Sequence, residues 1–128
     1  MTTILLDHIH FRSRHPEAVA DFLSRHFDVE IVERMEVRGL PRVVLRIGDV
    51  AIFVEGATDD MPRVPGMPFR GIEHVCVRVS DIAAHAARLE QAGVTLLSPV
   101  SQIRPGVQIA FVEAPDGILI EMIERLTA

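Results

Sequence analysis

Residues 6–12 read LDHIHFR, and residues 72–78 read IEHVCVR. The second stretch repeats the first at an offset of 66 residues, which is about half of the 128-residue chain. The match continues into the segments that follow, where Leu23 aligns with Leu89. The chain therefore contains two copies of one structural unit.

Each copy opens with a segment in which apolar and polar side chains alternate, as in a β-strand with one buried face. In the first copy, Ile9 and Phe11 share one face. The residues His8, His10 and Arg12 share the other face. The second copy alternates in the same way, so a strand is predicted at the start of each copy.

A helix is predicted after each opening strand. The first helix spans Pro16–His26, with proline at its first position, and the second begins at the Ser80-Asp81 cap and ends at Gly93. Each copy then has three more alternating segments, which makes it a βαβββ unit. These predicted strands span residues 29–37, 41–47 and 50–55 in the first copy, and residues 94–97, 107–113 and 118–123 in the second.

The segment between the copies is rich in proline and glycine and predicts a linker rather than a helix or a central strand. Residues 1–128 are expected to form a single domain made of module one (1–55), the linker (56–70) and module two (71–128). The predicted fold is α+β, with two βαβββ modules whose curved mixed sheets pair around a cleft.

Composition narrows the classes of function. All 13 basic residues are arginine, so the chain has no lysine for a Schiff base or a phosphate-binding loop. The net charge of −5 disfavours binding to nucleic acid or to an anionic membrane. Neither kind of partner is expected.

Two further features bear on location. No stretch approaches the ~18 consecutive apolar residues of a membrane span, and the N-terminal residues lack the pattern of a secretory signal. Cys76 is the single cysteine and has no internal disulfide partner, which favours a reducing compartment. A soluble cytoplasmic protein is expected.

Three side chains predict a metal site. Alternation places His8 and His74 at equivalent points of the two opening strands, on the face toward the expected cleft. The last strand places Glu121 between the aliphatic residues Leu119 and Ile123, where a carboxylate needs a cation or hydrogen-bond donors. Two histidines and one carboxylate leave open positions on a divalent ion such as Fe(II), Mn(II) or Zn(II).

The motifs DHI at residues 7–9, EHV at residues 73–75 and PDGILIEMI at residues 115–123 resemble those of the vicinal oxygen chelate superfamily, which includes glyoxalases, bleomycin-resistance proteins and ring-cleaving dioxygenases. The resemblance covers nearly the whole chain. It implies the glyoxalase-like fold, one divalent metal ion (Zn, Mn, Fe, Ni or Co, not distinguished) and the ligands His8, His74 and Glu121.

The resemblance also implies a frequent fourth ligand, a Glu or Gln in the last strand of the first copy. Matching residues 54–55 to residues 123–124 places Ile52 opposite Glu121, so this ligand is expected to be missing. Glu55 could replace it if the strand were shifted, but alternation places Ile52 and Glu55 on opposite faces.

The function implied by the resemblance is that of a metal-dependent lyase or isomerase, similar to glyoxalase I or acyl-CoA epimerase, that stabilises an enolate of a small-molecule substrate with two vicinal oxygens. His10 or Glu121 is the expected base, although a histidine in the position of His10 is more often a packed strand residue. Arg104 is the expected partner of an anionic substrate group, or else of a surface carboxylate.

Two other functions stay open: a small Fe(II) ring-cleaving dioxygenase, and a metal-free protein that binds a drug-like molecule without changing it. The modules can pair within one chain or be exchanged between two chains. The resemblance favours a homodimer.

Overall fold

The computed structural model describes residues 2–126 and divides the chain between Arg63 and Val64 into two compact units. The division falls within the predicted linker. The first and last residues of the predicted modules, Met1 and Ala128, lie outside the described residues, as does residue 127.

The first unit is a four-stranded mixed sheet with one helix. Its strand order is β1-β4-β3-β2, in which β1 pairs parallel with β4 and the other pairs are antiparallel. Its elements in chain order are β1 (His8–Ser13), α1 (Pro16–Phe27), β2 (Glu30–Val37), β3 (Leu40–Ile47) and β4 (Val50–Gly56).

The second unit repeats this topology with the order β5-β8-β7-β6, in which β5 pairs parallel with β8. A short 3-10 turn at Pro115–Gly117 precedes the last strand. Its elements are β5 (Val75–Arg78), α2 (Ile82–Gln91), β6 (Leu96–Arg104), β7 (Val107–Glu113) and β8 (Leu119–Arg125). The predicted α+β fold of two βαβββ modules is confirmed, whereas the pairing of the two sheets around a cleft stays a prediction.

The core of each unit lies between its helix and one face of its sheet. In the first unit, α1 buries Val19 and Leu23 against Leu45 and Val54. Each fully buried aliphatic side chain of this kind contributes roughly 1.5–3 kcal/mol of transfer free energy. In the second unit the corresponding buried residues are Ile82, Ala86, Leu89, Ala110, Val112 and Met122.

The opposite sheet face of each unit, which we call the distal face, faces away from the helix. In the first unit it carries the side chains of His8, His10 and Arg12 on β1, which alternate with the more buried Ile9 and Phe11. This agrees with the predicted alternation. His8 and His10, two of the candidate site residues, therefore lie on the distal face of the first unit.

One strand departs from the prediction. The segment expected to end at residue 97 forms β6 from Leu96 to Arg104, with three register irregularities against β7. Bulges of this kind interrupt the period-two pattern on which the prediction depends. Pro99 is tolerated because β6 is an edge strand.

Among residues 2–126, no helix is long and apolar enough to cross a membrane.

Candidate metal site

Two of the three predicted ligands contact each other in the second unit. Glu121 lies on β8 directly opposite Cys76 on the parallel neighbour β5, and His74 comes just before β5. As a result, the Nε2 atom of His74 lies 3.2 Å from the Oε1 atom of Glu121. The side chains are 28% and 15% exposed, respectively, so both are within reach of a small molecule or ion.

A second carboxylate orients the His74 ring. The Nδ1 atom of His74 lies 2.9 Å from the Oε1 atom of Glu73, and the backbone N–H of Phe69 donates to the other Glu73 oxygen at 3.3 Å. Because an ionised carboxylate only accepts hydrogen bonds, the Nδ1 atom carries the proton. The Nε2 atom then faces Glu121.

This arrangement fits a cation. With a proton on Nδ1, His74 has its Nε2 atom left to contact the Glu121 oxygen. Because that oxygen offers only lone pairs, the 3.2 Å contact needs either a proton on Nε2 or a metal ion bound beside both atoms. Metal-binding histidines commonly donate their other ring N–H to a carboxylate, as His74 does to Glu73.

The third predicted ligand, His8, has the same local arrangement in the first unit. Its Nδ1 atom lies 2.8 Å from the Oδ2 atom of Asp7, so Nε2 is again the nitrogen available to a ligand. The His8 ring stacks on Phe53, with ring centroids 4.1 Å apart and an interplanar angle of 18°. The side chain of His8 is 37% exposed.

The structure thus brings His74 and Glu121 together in one unit and places His8 in the other. Among residues 2–126, neither unit by itself holds three or more His, Cys, Asp or Glu side chains in positions that could hold one metal ion. A three-ligand site needs a contribution from both units and stays a prediction.

The structure places a different residue from the predicted Ile52 at the position of the fourth ligand. The strand registers place Cys76 opposite Glu121 and His10, the repeat partner of Cys76, opposite Phe53. The residue equivalent to Glu121 is therefore Phe53 rather than Ile52, which is buried on the helix-facing side of the sheet. The sequence match of residues 54–55 was off by one position, and one position changes the face.

Glu55 is not available as a substitute ligand. Its side chain is buried, and its Oε1 atom accepts a 2.6 Å hydrogen bond from the Nε atom of Arg42. Its Oε2 atom lies 2.7 Å from an Arg12 guanidinium nitrogen. Burial by itself would raise the pKa of Glu55, but the hydrogen bond and charge of Arg42, with the charge of Arg12, outweigh it and lower the pKa.

His10, the predicted base, lies on the same distal face as His8, with ring centroids 6.2 Å apart. Its Nε2 atom is 3.9 Å from the Oε1 atom of Glu55. Burial lowers the pKa of the His10 imidazole; the Glu55 carboxylate opposes this shift, and the charges of Arg12 and Arg42 add to it. The net effect favours the neutral imidazole.

Cys76, the repeat partner of His10, is exposed and lies beside Glu121. Partial burial and the negative charge of Glu121 raise the pKa of the Cys76 thiol to about 11. The thiol is therefore protonated near neutral pH and is a poor nucleophile there.

Arg104, the predicted substrate-binding arginine, is the last residue of β6 and is exposed. It pairs with Val107 on β7, whereas Glu121 pairs with Phe111 on the same strand. The separation of those two β7 residues is roughly 13 Å along the strand. Arg104 is therefore not next to Glu121 on the sheet.

The carboxylates of Asp7 and Glu73 were not among the predicted site residues. Their signal is present in the sequence, because an acidic residue directly precedes each of the two repeated histidines. Both residues lie just before their strands, so strand alternation does not fix the direction of their side chains. In the structure each carboxylate contacts the Nδ1 atom of the following histidine.

Comparison with solved structures supports the fold. The crystal structure of SMU.1112c has a TM-score of 0.82 and 19% identity, covering 96% of this chain and 100% of that chain. TnmS3, an antibiotic binding protein from Streptomyces sp. CB03234, has a TM-score of 0.75 and 20% identity, and 98% of each chain is covered.

A curated relative is also similar in sequence. Glyoxalase I of Saccharomyces cerevisiae is 27% identical over 147 residues, which include 94% of this chain. The chain spans 45% of the length of that yeast protein.

A family model covers nearly the entire chain. The model described as the Glyoxalase/Bleomycin resistance protein/Dioxygenase superfamily matches residues 5–122, a range that includes both repeats and all three predicted ligands. The match agrees with the duplicated βαβββ topology of the structure. The chain therefore belongs to the Glyoxalase/Bleomycin resistance protein/Dioxygenase superfamily.

Proposed function

We propose that the chain is a metal-dependent lyase or isomerase that forms an enolate from a small substrate with two neighbouring oxygens. The observation that carries this proposal is the His74–Glu121 contact of 3.2 Å, with His74 braced by Glu73. The same bracing at His8 supports a shared ligand set. The similarity to yeast glyoxalase I supports the reaction class.

The ligands would be His8, His74 and Glu121, with a carboxylate at Nδ1 of each histidine. Such a carboxylate fixes the ring orientation and makes Nε2 a stronger donor to a metal. A bound divalent ion would act as a Lewis acid that polarises the substrate oxygens and lowers the energy of the enolate.

Proton transfer would be performed by His10 or Glu121. His10 lies two residues after His8 on the same face of β1. A substrate bound next to His8 would therefore be within its reach. Glu121 would serve as the base if it can leave the metal. Arg104 would contact an anionic group at the far end of an extended substrate.

A second candidate function is that of an Fe(II) ring-cleaving dioxygenase. It is favoured by Phe53 at the position equivalent to Glu121, because the predicted set then has two histidines and one carboxylate. Ligand sets of this composition are typical of non-haem Fe(II) oxygenases.

A third candidate is stoichiometric binding of a small molecule without a metal. The fold similarity to TnmS3, an antibiotic binding protein, is consistent with this function. The contact between His74 and Glu121 favours the enzyme instead, because an imidazole and a carboxylate are common ligands of catalytic metal ions.

The test begins with metal content after purification without chelator. The wild-type protein is expected to retain a divalent ion, and His74→Ala is expected to lose it. His85→Ala, which changes a histidine of α2 outside the site, is the matched control and should retain the metal. A wild-type protein that takes up none of Zn²⁺, Mn²⁺, Fe²⁺, Ni²⁺ or Co²⁺ would support metal-free binding.

The reaction is tested next on the metal-loaded protein. Hemithioacetals of 2-oxoaldehydes with thiols, together with acyl-CoA esters, should be converted by the wild type and not by His74→Ala. Oxygen uptake with a catechol in the presence of Fe²⁺, without conversion of those substrates, would identify the dioxygenase instead.

A further inference from the structure

We infer that Phe53 is a positioning residue that sets the orientation of the His8 imidazole, and that Arg42 and Glu55 hold Phe53 in place. The inference deepens the proposed function, since its consequence for metal binding rests on His8 being a ligand. The orientation itself can be measured without metal.

The strand order creates the stack. Strand β4, which carries Phe53, lies between β1 and β3. His8 on β1 stacks on the Phe53 ring at a centroid distance of 4.1 Å. From β3, the guanidinium carbon of Arg42 lies 4.7 Å from the centroid of the same ring. The Phe53 ring is thus held between an imidazole and a cation, each contact being favourable for an aromatic ring.

The buried carboxylate of Glu55 holds Arg42 over the Phe53 ring. Glu55 is 4% exposed and accepts hydrogen bonds from Arg42 at 2.6 Å. Arg12 binds the other oxygen of Glu55 and also donates to the backbone carbonyl of Gly56 at 3.0 Å. Because Glu55 is held from two sides, Arg42 has a fixed partner and remains over Phe53.

His8 is therefore restrained twice, by Asp7 at Nδ1 and by Phe53 on a ring face. These restraints leave Nε2 as the ring nitrogen that can bind a metal ion. In the second unit His74 meets the ring of Phe111 edge-on, at 5.0 Å and 81°. There the carboxylate of Glu121 occupies the position equivalent to Phe53. The first unit thus uses a ring to orient its histidine where the second has a ligand.

The test compares Phe53→Leu, Phe53→Tyr and the control Phe22→Leu, which changes a ring on α1. In the metal-free protein, the NMR signals of the His8 ring protons, assigned by their loss in His8→Ala, should be shifted upfield by the stacked ring. Phe53→Leu should abolish this shift, whereas Phe53→Tyr and Phe22→Leu should retain it. Glu55→Gln should broaden the His8 signals, since Arg42 loses its charged partner.

The consequence for metal binding is measured by titration with Zn²⁺. Phe53→Leu should weaken binding about 10-fold, the lower end of the range for groups that orient a metal ligand. Phe53→Tyr, which keeps an aromatic ring at this position, should bind Zn²⁺ as tightly as the wild type. The folded state of each variant is checked by circular dichroism before comparison.

The possible failures are distinct. His8 signals that are unchanged in Phe53→Leu would overturn the positioning role. If instead the signals move as expected but His8→Ala binds Zn²⁺ as tightly as the wild type, the proposed metal site would fail at His8, while the orientation of the ring by Phe53 would stand.

Discussion

A histidine whose Nδ1 atom is bonded to a carboxylate presents its Nε2 atom in a fixed direction, and this chain contains that arrangement twice. Asp7 braces His8 and Glu73 braces His74, with N···O distances of 2.8 and 2.9 Å. The acidic residue lies next to the histidine in both repeats. Each repeat therefore carries its own orienting group.

Replacing Glu73, the carboxylate that orients the His74 ring, should weaken metal binding without removing a ligand. Glu73→Gln keeps the size of the side chain but removes its charge, and we expect a 10- to 100-fold loss of Zn²⁺ affinity, as is usual for groups that orient a metal ligand. The measurement is calorimetric titration. Glu90→Gln on α2 is the control; equal affinity of Glu73→Gln and the wild type would contradict the bracing role.

Glu55 should make the stability of the protein depend on acid pH. Its pKa is lowered in the folded state, so its ionised form stabilises the fold above the ordinary carboxyl pKa of about 4.5. That contribution is lost as the pH falls through the lowered pKa. The free energy of unfolding of Glu55→Gln should therefore vary less below pH 4.5 than that of the wild type.

At pH 7, Glu55→Gln should lower the free energy of unfolding by about 2 kcal/mol. This is less than the cost of breaking a fully buried ion pair, because Arg12 is partly exposed. Urea denaturation provides this number. Glu17→Gln, which breaks the exposed ion pair with Arg34, should cost less than about 1 kcal/mol. Equal losses of unfolding free energy in the two variants would show that the burial of Glu55 does not strengthen its ion pairs.

Individual side-chain contacts of the candidate site could not be predicted from the sequence. The sequence alone indicated the residue types of a metal site, but not that Phe53 would stack on His8. That contact depends on the register between β1 and β4, which joins residues 43 positions apart through parallel pairing. A match based on sequence similarity placed Ile52 there, and an error of one residue reverses the face.

At the scale of elements, the two helices begin in different ways. Asp81 accepts a hydrogen bond from the backbone N–H of Ala84 at 3.0 Å and caps α2. The residue preceding α1, His15, makes no side-chain capping bond, and Pro16 occupies the first helical position instead.

This difference predicts unequal costs of substitution. Asp81→Ala should destabilise the protein by about 1 kcal/mol, a usual cost for losing a helix cap. His15→Ala at the equivalent position of α1 should change the free energy of unfolding by less than half as much. Chemical denaturation of both variants checks this, and an equal effect would mean that the Asp81 bond contributes no stability.

Helices and hairpin turns were predictable because their signals are local. Gly93, with φ of 85°, follows the end of α2, and Pro105-Gly106 forms the turn between β6 and β7, with φ of 78° at the glycine. Strand β6 was not predictable in its full length, because its register irregularities are set by pairing with β7.

At the scale of the whole chain, the duplication accounts for the distribution of the site residues. Two units of the same topology each contribute a braced histidine, whereas Glu121 of the second unit has Phe53 as its counterpart in the first. The homodimer that the family resemblance favours stays a prediction. Light scattering should give a particle near twice 14.2 kDa for the homodimer, and a particle of 14.2 kDa would exclude it.

We propose that His8 and His74 bind the same ion as Glu121. Pulsed electron paramagnetic resonance of the Cu²⁺-loaded protein counts the imidazole nitrogens coupled to the metal. We predict two imidazoles in the wild type and in the control His85→Ala, and one in each of His8→Ala and His74→Ala. One imidazole in the wild type, or two in His8→Ala, would contradict the claim.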